Sequence, residues 1–162
     1  MKHSIALLKA DIREEISKLN IVVEEFRPLM PQLAYRDEQV SSYDKIVVGY
    51  LLHSFYNGCE NIFRTVARFF ENEVEPGSWH RDLLRRMKLE VPEYRPRLIS
   101  DQLYRLLDDF RGFRHRFRHS YSFELDWERE KVVAGKLEDA FKLLQEDVNS
   151  FLEALDSLSE AE

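Results

Sequence analysis

Eight consecutive residues, Arg114-His115-Arg116-Phe117-Arg118-His119-Ser120-Tyr121, place three arginines, two histidines and a tyrosine together in a chain whose net charge is −6. Like charges three and four apart on a helix repel, so the cluster costs stability unless an anion compensates it. Arginine offers a permanently charged planar fork that matches phosphate, and histidine titrates near neutrality and moves protons. Near the end of a helix, these are the groups that metal-free cleavage of a phosphodiester requires. The reaction needs a base, an acid, and cations for the charge that builds on the phosphate oxygens.

The segment follows an amphipathic run from Asp101 to Phe113. At about 100° per residue, Leu103, Leu106, Leu107, Phe110, Phe113 and Phe117 fall on one apolar stripe. Arg114 lies on its flank, with Arg111 and Arg118 at i−3 and i+4, and His115 and His119 follow one step further round. A solvated face with arginine stems lying along apolar surface gives the same pattern, and spacing alone leaves both readings open. Zinc at His115 and His119 is disfavoured: Arg116 stands where an H-E-x-x-H site carries its glutamate, and four arginines oppose a divalent cation. Ser120 has no nucleophile elbow. Gly112 and Gly135 are isolated and belong to no phosphate-binding loop. No metal and no cofactor is expected.

The elements that must position these residues are helical. The chain has 162 residues, 44% hydrophobic and 33% charged, with only five glycines and five prolines. That length suits one domain with a real core. A first helix is expected from about Ser4 to Phe26, on Ile5, Leu8, Ile12, Ile16, Leu19 and Val23, stopped by Pro28 and Pro31. A long second helix is expected over 38–72, with Ile46, Val47, Tyr50, Leu51, Cys59, Ile62, Phe63, Val66, Phe69 and Phe70 facing inward. Gly58 in its middle permits a close crossing.

Glu75-Pro76-Gly77-Ser78 reads as a turn, with Ser78 capping a short helix from Trp79 to Met87. Ser100 or Asp101 caps the fourth helix, which carries the cluster. A last helix spans about Glu128 to Leu158, with Val132, Leu137, Phe141, Leu144, Val148, Phe151, Leu152 and Leu155 inward. The expected architecture is an all-α, up-down bundle of four to five helices in a single domain over 1–158, with a frayed tail at 159–162.

Cys59 is a lone cysteine in an apolar pattern, so a small core residue rather than a nucleophile, and it suits a reducing, cytoplasmic setting. No signal peptide or membrane-spanning run is evident. From Trp79 to Arg118 there are eleven Lys/Arg against six Asp/Glu. A basic surface on an acidic body suits selective contact with a phosphate ligand better than a non-specific nucleic-acid coat. Glu60 and Asn61 interrupt an apolar run and read as a solvent-facing turn more readily than as cleft residues. His53 and His80 read as structural or surface residues.

Arg114-x4-His119-x-Tyr121 resembles the R-x4-H-x-Y signature of HEPN-domain ribonucleases, and of HepT-like toxins in particular. The resemblance implies an endoribonuclease toxin of a type VII-like toxin–antitoxin pair, with Arg114 holding the phosphate and His119 moving protons. His115, Arg111 and Arg118 would support RNA binding. It implies a homodimer that brings two motifs into one cleft; surplus apolar residues on the second helix (Tyr43, Val48, Phe55, Tyr56) are compatible with that. It also implies AMPylation of Tyr121 by an antitoxin nucleotidyltransferase of the MNT class, and an RNA substrate, with tRNA as the candidate. No membrane or DNA partner is expected. The alternatives are a non-catalytic HEPN subunit that binds the nucleotidyltransferase and its substrate, and a helical scaffold with an incidental basic strip.

Overall fold

The computed structural model describes residues 2–71 and 79–161. Six α-helices carry the fold among them: α1 (Lys2–Phe26), α2 (Ser42–Glu71), α3 (Trp79–Met87), α4 (Asp101–Arg118), α5 (Trp127–Ala134) and α6 (Leu137–Glu160). The turn expected at 75–78, with its Ser78 cap, lies outside the described residues.

The termini follow local chemistry. α1 stops at Phe26, and Arg27–Ala34 continues as 310 turns with Pro28 at their start and Pro31 within. Ser100 caps α4, its hydroxyl accepting from the Leu103 N–H at 3.2 Å. A carboxylate of α6 completes that end, because the Ser100 N–H donates to Asp147 Oδ2 at 2.7 Å. Asp126 caps α5, accepting from the amides of Glu128 and Arg129.

The helices pack antiparallel. Residues near the start of α1 meet the end of α6 through Lys9–Asp156, and the end of α1 meets the start of α6 through Arg27–Glu138. α2 crosses α1 where Gly58 faces Leu19; a Cβ on Gly58 would stand 2.3 Å from Leu19 Cδ2. α4 runs antiparallel to α2, so Phe110 meets Phe55 and Phe117 lies against Gly49. Buried residues of all six helices form the core, Ile12, Phe55, Phe63, Phe110, Trp127 and Phe151 among them.

Several expectations needed correction. The last helix is two, because the run breaks at Gly135 and Lys136, where glycine is the weakest helix former present. The break shifts the helical phase, so Val132 is exposed while Leu137 to Leu155 keep their inward stripe. Val47 and Tyr50, expected inside, are exposed. Conversely, Val48, Phe55 and Tyr56 are core residues, and of the four named as surplus apolar surface only Tyr43 is open, at 81%. α6 also continues to Glu160, two residues past the expected end. Cys59 is fully buried, and burial pushes its thiol well up, as suits a core residue.

A short loop locks α3 against α4. Arg95 is buried and donates to the carbonyls of Arg86 (3.0 Å) and Pro96 (3.2 Å) while pairing with Glu71 at 3.2 Å. The amides of Leu98 and Ile99 both donate to Met87 O.

α5 brings a second buried charge, Glu130, whose carboxyl lies beside Gly49 with neither oxygen completing a hydrogen bond among the described residues. Burial pushes it up to about 8, against the opposing pull of the Gly49 backbone and Lys45. A raised folded-state pKa gives stability that is complete below the unfolded value and lost as pH rises through the folded one. Chemical denaturation of the wild type should therefore show falling stability from about pH 4.5 to 8, by up to roughly 4 kcal/mol. Glu130→Gln should flatten that slope. Gly58→Val should cost about 1–3 kcal/mol by overpacking against Leu19, read as a lower midpoint with an unchanged m-value.

Candidate functional site

Three polar residues on α2, His53, Asn57 and Glu60, stand at i, i+4 and i+7 and so share one face of the helix. α4 lays Arg114 against them. The Arg114 Nε–H donates to Asn57 Oδ1 at 2.7 Å, and the same nitrogen lies 3.5 Å from Glu60 Oε1. The geometry is a hydrogen bond to the amide with an ion pair alongside, and Glu60 Oε1 itself accepts no hydrogen bond. Glu60 Oε2 is 2.5 Å from His80 Nδ1 on α3. Glu60 is 1% exposed, so one carboxylate draws three helices together.

The ladder has a fixed polarity. Asn57 accepts from Arg114, so its amide nitrogen is left to donate to His53 Nε2, at 3.0 Å. A histidine that accepts at Nε2 is neutral with its proton on Nδ1. Burial, then the charges of Arg114 and Arg118, push His53 down in the same direction. Its ring packs on Phe117 with centroids 5.4 Å apart. Tyr56, one turn before Glu60, is buried with its hydroxyl unpaired, and burial followed by the Glu60 charge holds that hydroxyl protonated.

Above this ladder the basic strip is open. Arg114 keeps its two Nη groups without a hydrogen-bond partner among the described residues. Arg116, Arg118, His115 and His119 are exposed. His119 is the C-cap of α4, its N–H donating back to Arg116 O, and its ring meets the His115 ring edge to face at 5.0 Å. Five residues at about 100° each put His119 some 140° round the helix from Arg114. The two expected catalytic groups therefore flank the end of α4 rather than one of its faces. Arg111 is not a free member of the strip: it pairs with Asp108 at 2.8 Å and lines, with Arg116, a cleft on the α5 side. Tyr121, just beyond, is 71% exposed and stacks on Phe123.

The reading of Glu60 as a solvent-facing residue is overturned, since it is the buried partner of Arg114 and His80. Asn61 does face solvent, held by Arg64 and Glu15. Asn57 carried no expectation at all. The signal that marks it is the spacing of His53, Asn57 and Glu60, a polar stripe on a helix whose other stripe is apolar.

An all-α bundle of HEPN type, with an arginine and a histidine at the end of its fourth helix, is the class that fold and site define. A family model described as HepT-like protein matches residues 47–155, and the chain belongs to that HepT-like family. Membership points to a HEPN-type toxin or ribonuclease. No curated protein and no solved structure matches the chain. Among the described residues no helix is long and apolar enough to cross a membrane.

Glu60→Ala should cost roughly 3–5 kcal/mol, because it strands a partly buried arginine. A double-mutant cycle with Glu60→Gln and Arg114→Gln should return a coupling of about 0.5–3 kcal/mol. Additive effects would mean that the pair is not formed in solution.

Proposed function

We propose that the protein is a metal-independent endoribonuclease and the toxin of a toxin–antitoxin pair. The observation that carries the reading is Arg114 held from beneath by Asn57 and Glu60, its two Nη groups unbonded among the described residues, at the end of a helix that also carries the exposed His115–His119 pair. The RNA supplies its own nucleophile. Its 2′-hydroxyl attacks phosphorus while one histidine accepts the hydroxyl proton; the 5′-oxygen departs as an acid returns a proton to it, leaving a 2′,3′-cyclic phosphate. Arg114, aimed by its α2 partners, stabilises the charge on the non-bridging oxygens. Glu60 and Asn57 are positioning residues in this scheme, since they act through Arg114.

Base and acid come from two subunits. Tyr43, Val47 and Tyr50 are exposed and share with Asn57 one stripe of α2. A second copy seated on that stripe would set its own motif beside this one, so that His119 and the partner subunit's His119 serve as base and acid. The same reading makes Tyr121 the acceptor of AMP: the phenol oxygen attacks the α-phosphorus of ATP bound to a nucleotidyltransferase, and pyrophosphate leaves. The added phosphodiester then competes with RNA for Arg118 and its neighbours.

His119→Ala and Arg114→Ala should each lower cleavage by about 100-fold or more with the melting temperature of His119→Ala unchanged. A chelator should have no effect. Cleavage that survives His119→Ala would remove the mechanism. Binding of the nucleotidyltransferase and RNA with no cleavage by the wild type would favour the non-catalytic subunit instead. Mass spectrometry after incubation with the partner enzyme and ATP should find AMP on Tyr121, and none on Tyr121→Phe. Tyr50→Glu should shift a dimer towards monomer in sedimentation and reduce cleavage with it.

A further inference from the structure

Beyond the histidine pair the chain presents two aromatic rings that the chemistry above does not use as rings. Tyr121 and Phe123 lie parallel, with 4° between their planes and 5.4 Å between centroids. Phe123 is 83% exposed. A phenylalanine so placed gives up burial worth about 1.5–3 kcal/mol. The segment that holds it is nonetheless ordered by hydrogen bonds. The Tyr121 N–H donates to Glu124 Oε1 at 2.8 Å, the Glu124 N–H donates to Tyr121 O at 2.9 Å, and Ser122–Glu124 forms a 310 turn between them.

The surroundings say what such rings would meet. Phe123 also lines a cleft of about 250 Å³ with Ser42, Lys45 and Ile46 of α2. That is below the roughly 300–1,000 Å³ of pockets for drug-sized ligands, and it suits one flat ring system. Along the chain Arg116 and Arg118 are exposed, with the His119 ring between them and the aromatic pair, while the nearby carboxylates are engaged, Asp37 of the cleft by Lys45 at 2.7 Å and Glu124 by the Tyr121 N–H. Aromatic faces beside a cationic track are the means by which proteins hold single-stranded nucleic acid, since every base offers a π-face whatever its sequence. An apolar protein partner would match the rings but leave Arg116 and Arg118 without an anion.

We infer that Phe123, braced by Tyr121, is a stacking platform for an unpaired base of the RNA strand, next to the phosphate held at Arg114 and His119. The inference rests on the ribonuclease reading and adds to it that the substrate is single-stranded at the cut. Two consequences follow. The platform supplies affinity without phosphate contact, so it leaves the salt dependence of binding untouched. It also favours purines, whose π-faces are larger, at one position beside the cut.

The test uses the wild-type chain and an uncleavable 2′-O-methyl oligoribonucleotide carrying 2-aminopurine, whose fluorescence falls on stacking. The wild type should quench the probe. Phe123→Ala should lose the quench and weaken binding roughly 5- to 150-fold, with the slope of log K against log salt unchanged, while Phe123→Trp should retain both. A strand with the probe base removed should bind wild type and Phe123→Ala alike. If wild type cleaves RNA while Phe123→Ala matches it in quench and affinity, the platform falls and the ribonuclease reading stands. If wild type neither binds nor cleaves RNA, both fall. If Phe123→Ala dissociates dimers at unchanged RNA affinity, the ring is a protein contact and the inference is overturned.

Discussion

The buried carboxylate of Glu60 is the constraint on which the arrangement of this protein turns. A carboxylate at that depth is tolerated only where polar partners meet it, and the chain answers with the Arg114 guanidinium from α4 and the His80 ring from α3. Apolar contacts alone would let α4 rotate or slide on α2 at modest cost, because greasy surfaces discriminate weakly between registers. A buried charge does not allow that. Rotating α4 by one residue would withdraw the guanidinium and strand the carboxylate, so the helix is held in one register about its axis. The same register turns Phe117 toward Gly49 and leaves the following histidines in water.

Two kinds of polar chemistry meet on α4. Toward the core lies a ladder, His53 to Asn57 to Arg114, whose two hydrogen bonds have fixed directions, with the His53 Nδ1 buried and unpartnered among the described residues and the ring kept neutral by burial and by the arginines around it. Toward solvent lies a strip of unpaired cations that no carboxylate of the described residues neutralises. Arg114 belongs to both, with Nε spent on the ladder and its Nη groups unbonded among the described residues. Arg111 shows the contrast: its charge is spent on Asp108, and it does not reach the open strip.

The helices were legible in the sequence because their signals are local. The i, i+3, i+4 spacing of Leu103, Leu107 and Phe110 finds α4, Pro28 finds the end of α1, and Ser100 finds a cap. The break at Gly135 was not legible, since one glycine in a helical run is tolerated as often as it is decisive. The Arg114–His119 motif stood out in the sequence by residue type and spacing, but the groups that hold Arg114 did not. Glu60 and Asn57 sit more than fifty residues from Arg114, and a single glutamate in an apolar run looks the same whether it faces a partner helix or water. Only the juxtaposition of α2, α3 and α4 separates those cases. The surface of α2 misled for a related reason: Val47 and Tyr50 are as apolar as Val48 and Phe55, and hydrophobicity does not say which of two adjacent stripes another helix covers.

The cap between Asp147 and the Ser100 amide has a mechanical meaning. α4 is a rod gripped at its root by α6 and along its length by α2 as far as Phe117, and past that ring it ends in the exposed His119 cap. Such a rod keeps its direction only as well as its root is held. A slack grip at Asp147 would be felt, the length of the helix away, as misdirection of Arg114 and His119.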